Sequence, residues 1–152
     1  MQACVHLLCR VAILLLVAGF VVSCDRIGGS AADLRVGECF DQPVETTEIS
    51  DVQRQPCNEA HDAEVILVVD YPATDDDSYP IGLTFGNFVD EQCKPAFKTY
   101  TGLDFDTATD LDLSYFYPTR EGWSDGDREV TCYIARADDA KMTSSLRAAS
   151  ET

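Results

Sequence analysis

The stretch PCNEAHDAEVILVVD, residues 56–70, decides the fold of this chain. It begins with a proline and a cysteine, contains the only histidine beyond residue 10, and ends in the apolar run Val65 to Val69. Four of the five residues in that run are β-branched, and such side chains suit a pleated sheet better than a helix. Turn-forming residues flank the run, Pro56 before it and Tyr71-Pro72 after it, as is typical of a buried strand. We predict that this strand lies at the centre of the fold.

Composition limits the class of protein. The chain has 152 residues, of which 45% are hydrophobic, enough for one domain with a packed core. Its 27 acidic and 11 basic residues give a formal net charge of −16. Because nucleic-acid binding requires basic patches, we expect no nucleic acid among its partners.

Residues 1–23 have the features of an export signal. One positive charge, Arg10, precedes a largely apolar segment from Val11 to Val22. That segment is shorter than the about 20 residues needed to span a bilayer, so it predicts a signal peptide rather than a membrane helix. It ends in Val21-Val22-Ser23-Cys24, which is similar to the lipobox of bacterial lipoproteins, whose cysteine receives a diacylglyceryl group. The alternative is an ordinary signal peptide in which Cys24 happens to follow a small residue.

The lipoprotein interpretation places the mature chain at the cell membrane, on its extracytoplasmic face. The membrane is then a partner through the lipid anchor at Cys24. Residues 24–35 follow as a predicted flexible tether, because they contain glycine, serine and alanine with little to bury.

Four cysteines remain in the predicted domain: Cys39, Cys57, Cys93 and Cys132. An even number in an exported domain predicts two disulfides, and three pairings are possible. We favour Cys39–Cys57, which would join the first strand to the start of the central strand, and Cys93–Cys132, which would join a helix to the last strand. A zinc site is the rival use of four cysteines, but it usually shows C-x-x-C spacing, which is missing here. We therefore expect no metal and no cofactor.

Helical periodicity replaces the strand pattern after residue 84. Asn87 is a candidate N-cap and Gly102 a candidate stop. Pro95 lies inside the pattern and predicts either a kink or two short helices. The periodic apolar residues are Phe85, Phe88, Val89, Cys93, Ala96, Phe97 and Tyr100.

Short strands make up the rest of the predicted domain. Candidates are residues 36–40, 52–57, 113–117 and 129–136, with 44–50 as a loop or an edge strand. Their short connections favour antiparallel pairing. The predicted class is α+β: a small antiparallel sheet with one kinked or split helix packed on it, and two disulfides. Residues 148–152 are predicted to form a loose tail.

Several motifs in order give the chain a family resemblance. They are the segments 36–41 (VGECFD), 61–65 (HDAEV) after Cys57, Cys93 with Phe97, Tyr100 and Gly102, 117–119 (YPT), Trp123, 126–132 (GDREVTC) and 145–147 (SLR). In order and spacing they resemble the septum formation domain of actinobacterial exported proteins and lipoproteins. The resemblance covers about residues 36–147, with Ala60 where proline is expected. It implies an extracytoplasmic domain linked to division septa and implies no enzyme.

Two motifs could carry chemistry. Gly122 to Gly126 matches G-x-S-x-G, but a nucleophile elbow needs a strand before it, a helix after it and a later histidine. His61 and Asp62 could form an acid–base pair, although adjacent strand residues point to opposite faces. The structural alternative is that His61 bonds a backbone group beside the Cys57 turn.

Acidic and aromatic clusters are the remaining candidates. Asp75 to Asp77 and Asp104 to Asp112 could bind calcium, but Ala108 and Thr109 break the EF-hand pattern, which favours solvated loops. The sequence also contains an aromatic group, for which core packing is the preferred interpretation over a binding platform. Its members are Tyr115, Phe116, Tyr117 and Trp123.

Two function classes follow. The first is a non-catalytic binding module, which the resemblance links to septum formation or cell-wall processes, with an envelope or division protein as partner. The alternative is a small secreted hydrolase or ligand-binding protein that uses His61 and the Tyr115–Trp123 region. An apolar cleft lined by His61 and Trp123 would favour the alternative. We expect the protein not to be an enzyme, with His61, Tyr115, Tyr117 and Trp123 as candidate binding residues.

Overall fold

One antiparallel sheet organises the fold in the computed structural model, which describes residues 28–42, 51–73, 78–80 and 83–149. The predicted signal peptide, Cys24, the segment 44–50 and Asp75 to Asp77 lie outside these residues. The strands are β1 (Gly28–Ser30), β2 (Cys39–Asp41), β3 (Asp51–Gln55), β4 (Ala63–Asp70), β5 (Leu111–Phe116) and β6 (Glu129–Arg136). The helices are α1 (Leu83–Thr101) and α2 (Arg120–Ser124), and 3-10 turns span Ala31–Asp33 and Phe105–Thr107.

The strand order is β1-β3-β2-β4-β6-β5, with every pair antiparallel. The apolar run predicted as the central strand is β4, which lies between β2 and β6. A break in the β4–β6 register between Val65 and Leu67 interrupts the alternation of β4. As a result Ile66 and Leu67 both pack on the side of α1, whereas Val65 and Val68 pack on the opposite side.

Helix α1 covers one face of the sheet and confirms the predicted α+β class. It is one uninterrupted helix, so the alternative of two short helices is wrong. Pro95 is tolerated because it lies on the exposed side of α1, where water can reach the carbonyl of Glu91 that it leaves unbonded. The predicted N-cap at Asn87 is also wrong, since α1 begins at Leu83. The predicted stop is correct: Gly102 has φ +74° and its N–H donates to the Lys98 carbonyl.

Both predicted disulfides are present. Cys39–Cys57 joins β2 to the turn before β4, with Cα atoms 5.2 Å apart. Cys93–Cys132 joins α1 to β6, with Cα atoms 5.8 Å apart. Both separations fall in the ordinary range.

The other face of the sheet carries a second core. Phe40, Phe116 and Tyr133 form an aromatic triangle with ring centroids 4.7 to 5.7 Å apart. Ala31 and Leu34 pack there and are 5% and 2% exposed. The sequence predicts that residues 28–34 belong to the tether, but in the structure they add a strand and two buried side chains to the fold. The physical reason is that Leu34 supplies apolar surface that this second core buries.

No helix in the described parts of the chain is long and apolar enough to cross a membrane.

Candidate functional site

His61 is fixed by backbone contacts at the start of β4. Its N–H donates to the Met142 carbonyl at 3.0 Å, and its carbonyl accepts from the Met142 N–H at 2.8 Å. Its side chain is 0% exposed, and Nδ1 lies 2.8 Å from the Glu59 carbonyl, to which it donates. These contacts match the structural interpretation, in which His61 holds the turn after Cys57.

Asp62 does not form an acid–base pair with His61. Its carboxylate accepts from Lys141 Nζ at 2.8 Å and from the Gln42 N–H at 3.0 Å. Lys141 Nζ also lies 2.6 Å from Asp41 Oδ1, and its bonds to the two carboxylates raise the pKa of Lys141. Asp62 therefore ties the C-terminal segment to the β2 side of the sheet.

Glu64 lies at the centre of a buried polar group that the sequence reading missed. Its side chain is 0% exposed, although it belongs to the most apolar strand. Three donors meet its carboxylate: Tyr100 Oη at 2.5 Å, Ser145 Oγ at 2.5 Å and the Leu146 N–H at 2.7 Å. We call Glu64, Tyr100, Ser145, Leu146 and Arg147 the Glu64 cluster.

The other members fit around this carboxylate. Burial, followed by the hydrogen bond to Glu64, raises the pKa of Tyr100. The Arg147 guanidinium lies 4.7 Å from the centre of the Tyr100 ring. Gly37 has φ +91°, which favours glycine, and a Cβ there would lie 2.6 Å from Arg147 Nη2, so the guanidinium would have to shift. Glu64, Tyr100 and residues 145–147 all belong to the motifs that carry the family resemblance, and here they meet.

A metal site is the chemical alternative for this region. Ligand atoms of Cys39, His61 and Glu64 lie within 4.8 Å of one another. However, Cys39 Sγ is bonded to Cys57, and the Glu64 oxygens already accept three hydrogen bonds. A disulfide sulfur is not the thiolate that binds metal, so with the disulfide formed this geometry is that of a structural cluster.

The G-x-S-x-G segment has no elbow geometry. Ser124 is the last residue of α2, and its hydroxyl donates to the Arg120 carbonyl at 3.0 Å. The Trp123 ring is buried, with the Arg128 guanidinium 3.8 Å from its centre. Gly126 turns the chain into β6 with φ +91°. The segment is a helix end followed by a turn, and the exposed Ser124 hydroxyl is hydrogen-bonded to the backbone of its own helix.

The aromatic group divides between core and surface. Trp123 is 5% exposed and packs with Tyr71, Tyr79 and Phe85 at 5.7 to 6.2 Å between ring centroids. Phe116 faces the second core. Tyr117 is 50% exposed, and its ring contacts Phe85 at 5.0 Å and Tyr115 at 5.7 Å. The core interpretation therefore holds for Trp123 and Phe116, whereas Tyr117 is a surface aromatic on a packed base.

Tyr79 and Arg120 extend this surface. Tyr79 Oη donates to the Pro118 carbonyl at 3.0 Å, and the Arg120 guanidinium lies 4.7 Å from its ring centre. Burial, followed by the nearby Tyr117, raises the pKa of Tyr79. We call Tyr79, Tyr115, Tyr117 and Arg120 the Tyr117 surface.

Neither His61 nor Trp123 is exposed enough to line an open cleft. An open depression of about 330 Å³ lies instead on the face of the second core. Its lining residues are Asp33, Leu34, Arg35, Val36, Val68 and Glu129.

Comparison with known proteins gives one result. No curated protein and no solved structure matches this chain. A family model described as septum formation matches residues 32–151, well over half of the 152 residues. The match includes the buried Leu34 but begins after β1. The chain therefore belongs to the septum formation family.

Proposed function

We propose that this protein is a lipid-anchored, extracytoplasmic, non-catalytic binding module that acts in septum formation or a related cell-wall process. The family supports the process. The lipobox at Cys24 and the acidic composition support the location. The observation that carries the binding role is the contrast between the candidate catalytic groups, which are held by internal bonds, and the half-exposed Tyr117.

Catalysis needs a group that reaches a substrate. His61 is fully buried and Ser124 bonds its own helix. The Glu64 carboxylate is buried beneath Tyr100 and the C-terminal segment. A general acid or base must come within hydrogen-bond reach of the reacting group, and the side chains of His61 and Glu64 are both buried. The Ser124 hydroxyl is exposed, but it donates to the Arg120 carbonyl, and His61 is bonded to Glu59 rather than to Ser124.

The position of β1 sets how far the domain stands from the membrane. If Cys24 carries the lipid, only residues 25–27 separate it from β1. Three residues reach at most about 11 Å. The β1 end of the sheet therefore lies next to the membrane surface. Tethering of this kind raises the effective concentration of a weak binder at that surface.

The lipid anchor is tested by replacing Cys24 with serine. The unmodified protein should enter the detergent phase on partitioning, whereas Cys24→Ser should remain in the aqueous phase, because acyl chains provide the membrane affinity. Equal partitioning of the two forms would show that Cys24 is not the anchor.

The non-catalytic role is tested by complementation of a deletion strain. His61→Gln and Ser124→Ala should restore normal septation, because both side chains serve local structure only. Cys24→Ser should not restore it, since the domain is released from the membrane. Each variant is first compared with the wild type in thermal melting and abundance. A folded, correctly localised His61→Gln or Ser124→Ala protein that fails to complement would overturn the proposal.

A further inference from the structure

Strand β5 ends the sheet with one side unpaired. It pairs with β6 over six residues, from Leu111 opposite Arg136 to Phe116 opposite Thr131. No other strand among the described residues follows it in the sheet order. From Asp112 to Phe116, the backbone of the described structure hydrogen-bonds only within the sheet. Because alternate residues of an antiparallel strand point their N–H and C=O groups to opposite sides, about half of these groups face outward.

The usual protections of a sheet edge are weak here. The β5–β6 register is continuous, so no bulge twists the edge away. The strand contains neither proline nor lysine. Its one charge is Asp112, which is exposed and forms no ion pair with any described residue. The edge therefore offers a template for another strand.

The side chains of β5 differ between its two faces. Leu113 and Tyr115 pack on the face of α1, and Tyr117 continues that face. Asp112 and Ser114 alternate with them and lie on the face of Phe116. An added strand would thus meet aromatic surface on one face and a carboxylate with a hydroxyl on the other.

The negative charge of this chain favours a basic strand at the β5 edge over a second copy of the chain. Pairing two copies of this chain through β5 would join two edges whose one charged residue is the exposed Asp112, on chains that each have a formal net charge of −16. Like charges across paired strands are destabilising, whereas opposite charges are favourable. A basic strand is therefore preferred over a second copy.

The position of β5 in the sheet is consistent with this use. Strand β1, next to the predicted anchor, and β5 lie at opposite ends of the strand order. Five inter-strand spacings of about 4.8 Å separate them by about 24 Å. Anchoring through β1 leaves the β5 edge free to meet a partner.

We propose that the β5 edge binds an extended segment of a partner protein in which basic and apolar residues alternate, adding it to the sheet as a further strand. The apolar residues pack against Tyr115 and Tyr117, and the basic residues face Asp112. This inference rests on the proposed binding function and specifies the chemistry of its partner.

The test uses the full-length protein in detergent and a fluorescent ten-residue peptide of alternating lysine and valine. Binding is followed by anisotropy at low salt. Three control peptides are an alternating glutamate–valine peptide, a peptide with the lysines and valines in separate blocks, and the lysine–valine peptide N-methylated at alternate residues. Only the unmodified alternating basic peptide should bind, because it alone combines charge, spacing and strand-forming N–H groups. Hydrogen exchange should slow at amides between Asp112 and Phe116.

Protein variants separate the edge from general charge attraction. Asp112→Asn should weaken binding about threefold, the range of an exposed ion pair. Glu91→Gln removes the same charge from the exposed side of α1 and should leave binding unchanged. Equal effects of the two variants, or undiminished binding of the N-methylated peptide, would overturn the proposal.

Complementation distinguishes this proposal from the proposed function. If Asp112→Lys restores septation while Cys24→Ser does not, the edge is not the binding surface and the anchored module stands. If Cys24→Ser restores septation, the proposed function itself fails.

Discussion

Replacing Tyr100 with phenylalanine tests whether the Glu64 cluster holds the C-terminal segment to the sheet. The change removes one hydroxyl without altering the shape of the ring. That hydroxyl donates to Glu64 Oε1 at 2.5 Å, and the Glu64 side chain is fully buried. Ser145 donates to the same oxygen, so part of the charge remains satisfied.

The magnitude follows from the charge of the acceptor. A hydrogen bond to a charged group contributes about 1.5–3 kcal/mol. Because Ser145 and the Leu146 N–H remain as donors, we expect Tyr100→Phe to lower the free energy of unfolding by about 2 kcal/mol. For a urea m value of about 2 kcal/mol/M, the midpoint falls by about 1 M with m unchanged. The Leu146 amide should also exchange faster.

Alkaline pH gives the prediction a second readout. The pKa of Tyr100 in the folded protein is raised above its ordinary value of 10.0. The stability that comes from the neutral phenol is therefore complete below pH 10 and is lost as pH rises through the folded pKa. The difference between wild type and Tyr100→Phe should shrink above pH 10.

Tyr117→Phe is the matched control, since the Tyr117 ring is half exposed on the surface. It should shift the urea midpoint by less than about 0.3 M, because surface substitutions usually change stability by less than about 0.5 kcal/mol. If Tyr100→Phe and Tyr117→Phe shift the midpoint equally, the Glu64 cluster does not anchor the C-terminal segment.

Three further predictions concern stability. Burial raises the pKa of Glu129 above its ordinary 4.5, so the charged carboxylate disfavours folding above that pH. Glu129→Gln should therefore raise the melting temperature at pH 7 but not at pH 4. An equal gain at both pH values would contradict this. Gly37→Ala should lower stability by about 1 kcal/mol, because φ +91° disfavours a residue with a Cβ and the Arg147 guanidinium, 2.6 Å from that Cβ, would have to move. Gly86→Ala, with open space around it, should raise stability by about 0.5–1 kcal/mol. The opposite order in urea unfolding would refute the reasoning. The Cys93–Cys132 disulfide joins residues 39 apart in sequence. Replacing both cysteines with alanine should lower the free energy of unfolding by about 4 kcal/mol, and a urea midpoint close to wild type would show that the disulfide contributes little.

Sequence reasoning succeeded where the signal was local. Strand β6 was predicted with the bounds that the structure gives, 129–136, and β4 was placed correctly at the centre. The favoured cysteine pairing is confirmed, although the sequence alone leaves three pairings possible. For the two strands, the pattern of a few neighbouring residues contains the information.

It failed where distant residues decide the structure. Asn87 has the chemistry of an N-cap, but α1 begins earlier, and Phe85 in its first turn packs against Tyr71 and Tyr79 at 5.2 and 5.8 Å. Glu64 looked like a polar residue beside an apolar run. Its partner Ser145 is 81 residues away, so no local pattern could reveal it.

The second core explains why residues 28–34 belong to the domain rather than to the predicted tether. A sheet with one helix suggests one buried face, and glycine, serine and alanine before Leu34 suggest a linker. In the structure Ala31 and Leu34 pack on the second face, so the chain from β1 onward is part of the domain. Leu34, an isolated leucine after a run of small residues, is the sequence feature that could have indicated this packing.

This placement changes the physical picture of the anchor. A long flexible tether would let the domain rotate freely and present any surface to a partner. If Cys24 carries the lipid, as we propose, only three residues separate it from β1, so the β1 end of the sheet would stay close to the membrane and the domain would rotate less freely. Under this proposal a partner would meet the domain from the side of β5, where Asp112 and Tyr117 are exposed. Lengthening the chain between Cys24 and β1 with glycine and serine should therefore leave membrane binding unchanged but reduce complementation, since the recognition edge would lose its fixed distance from the membrane.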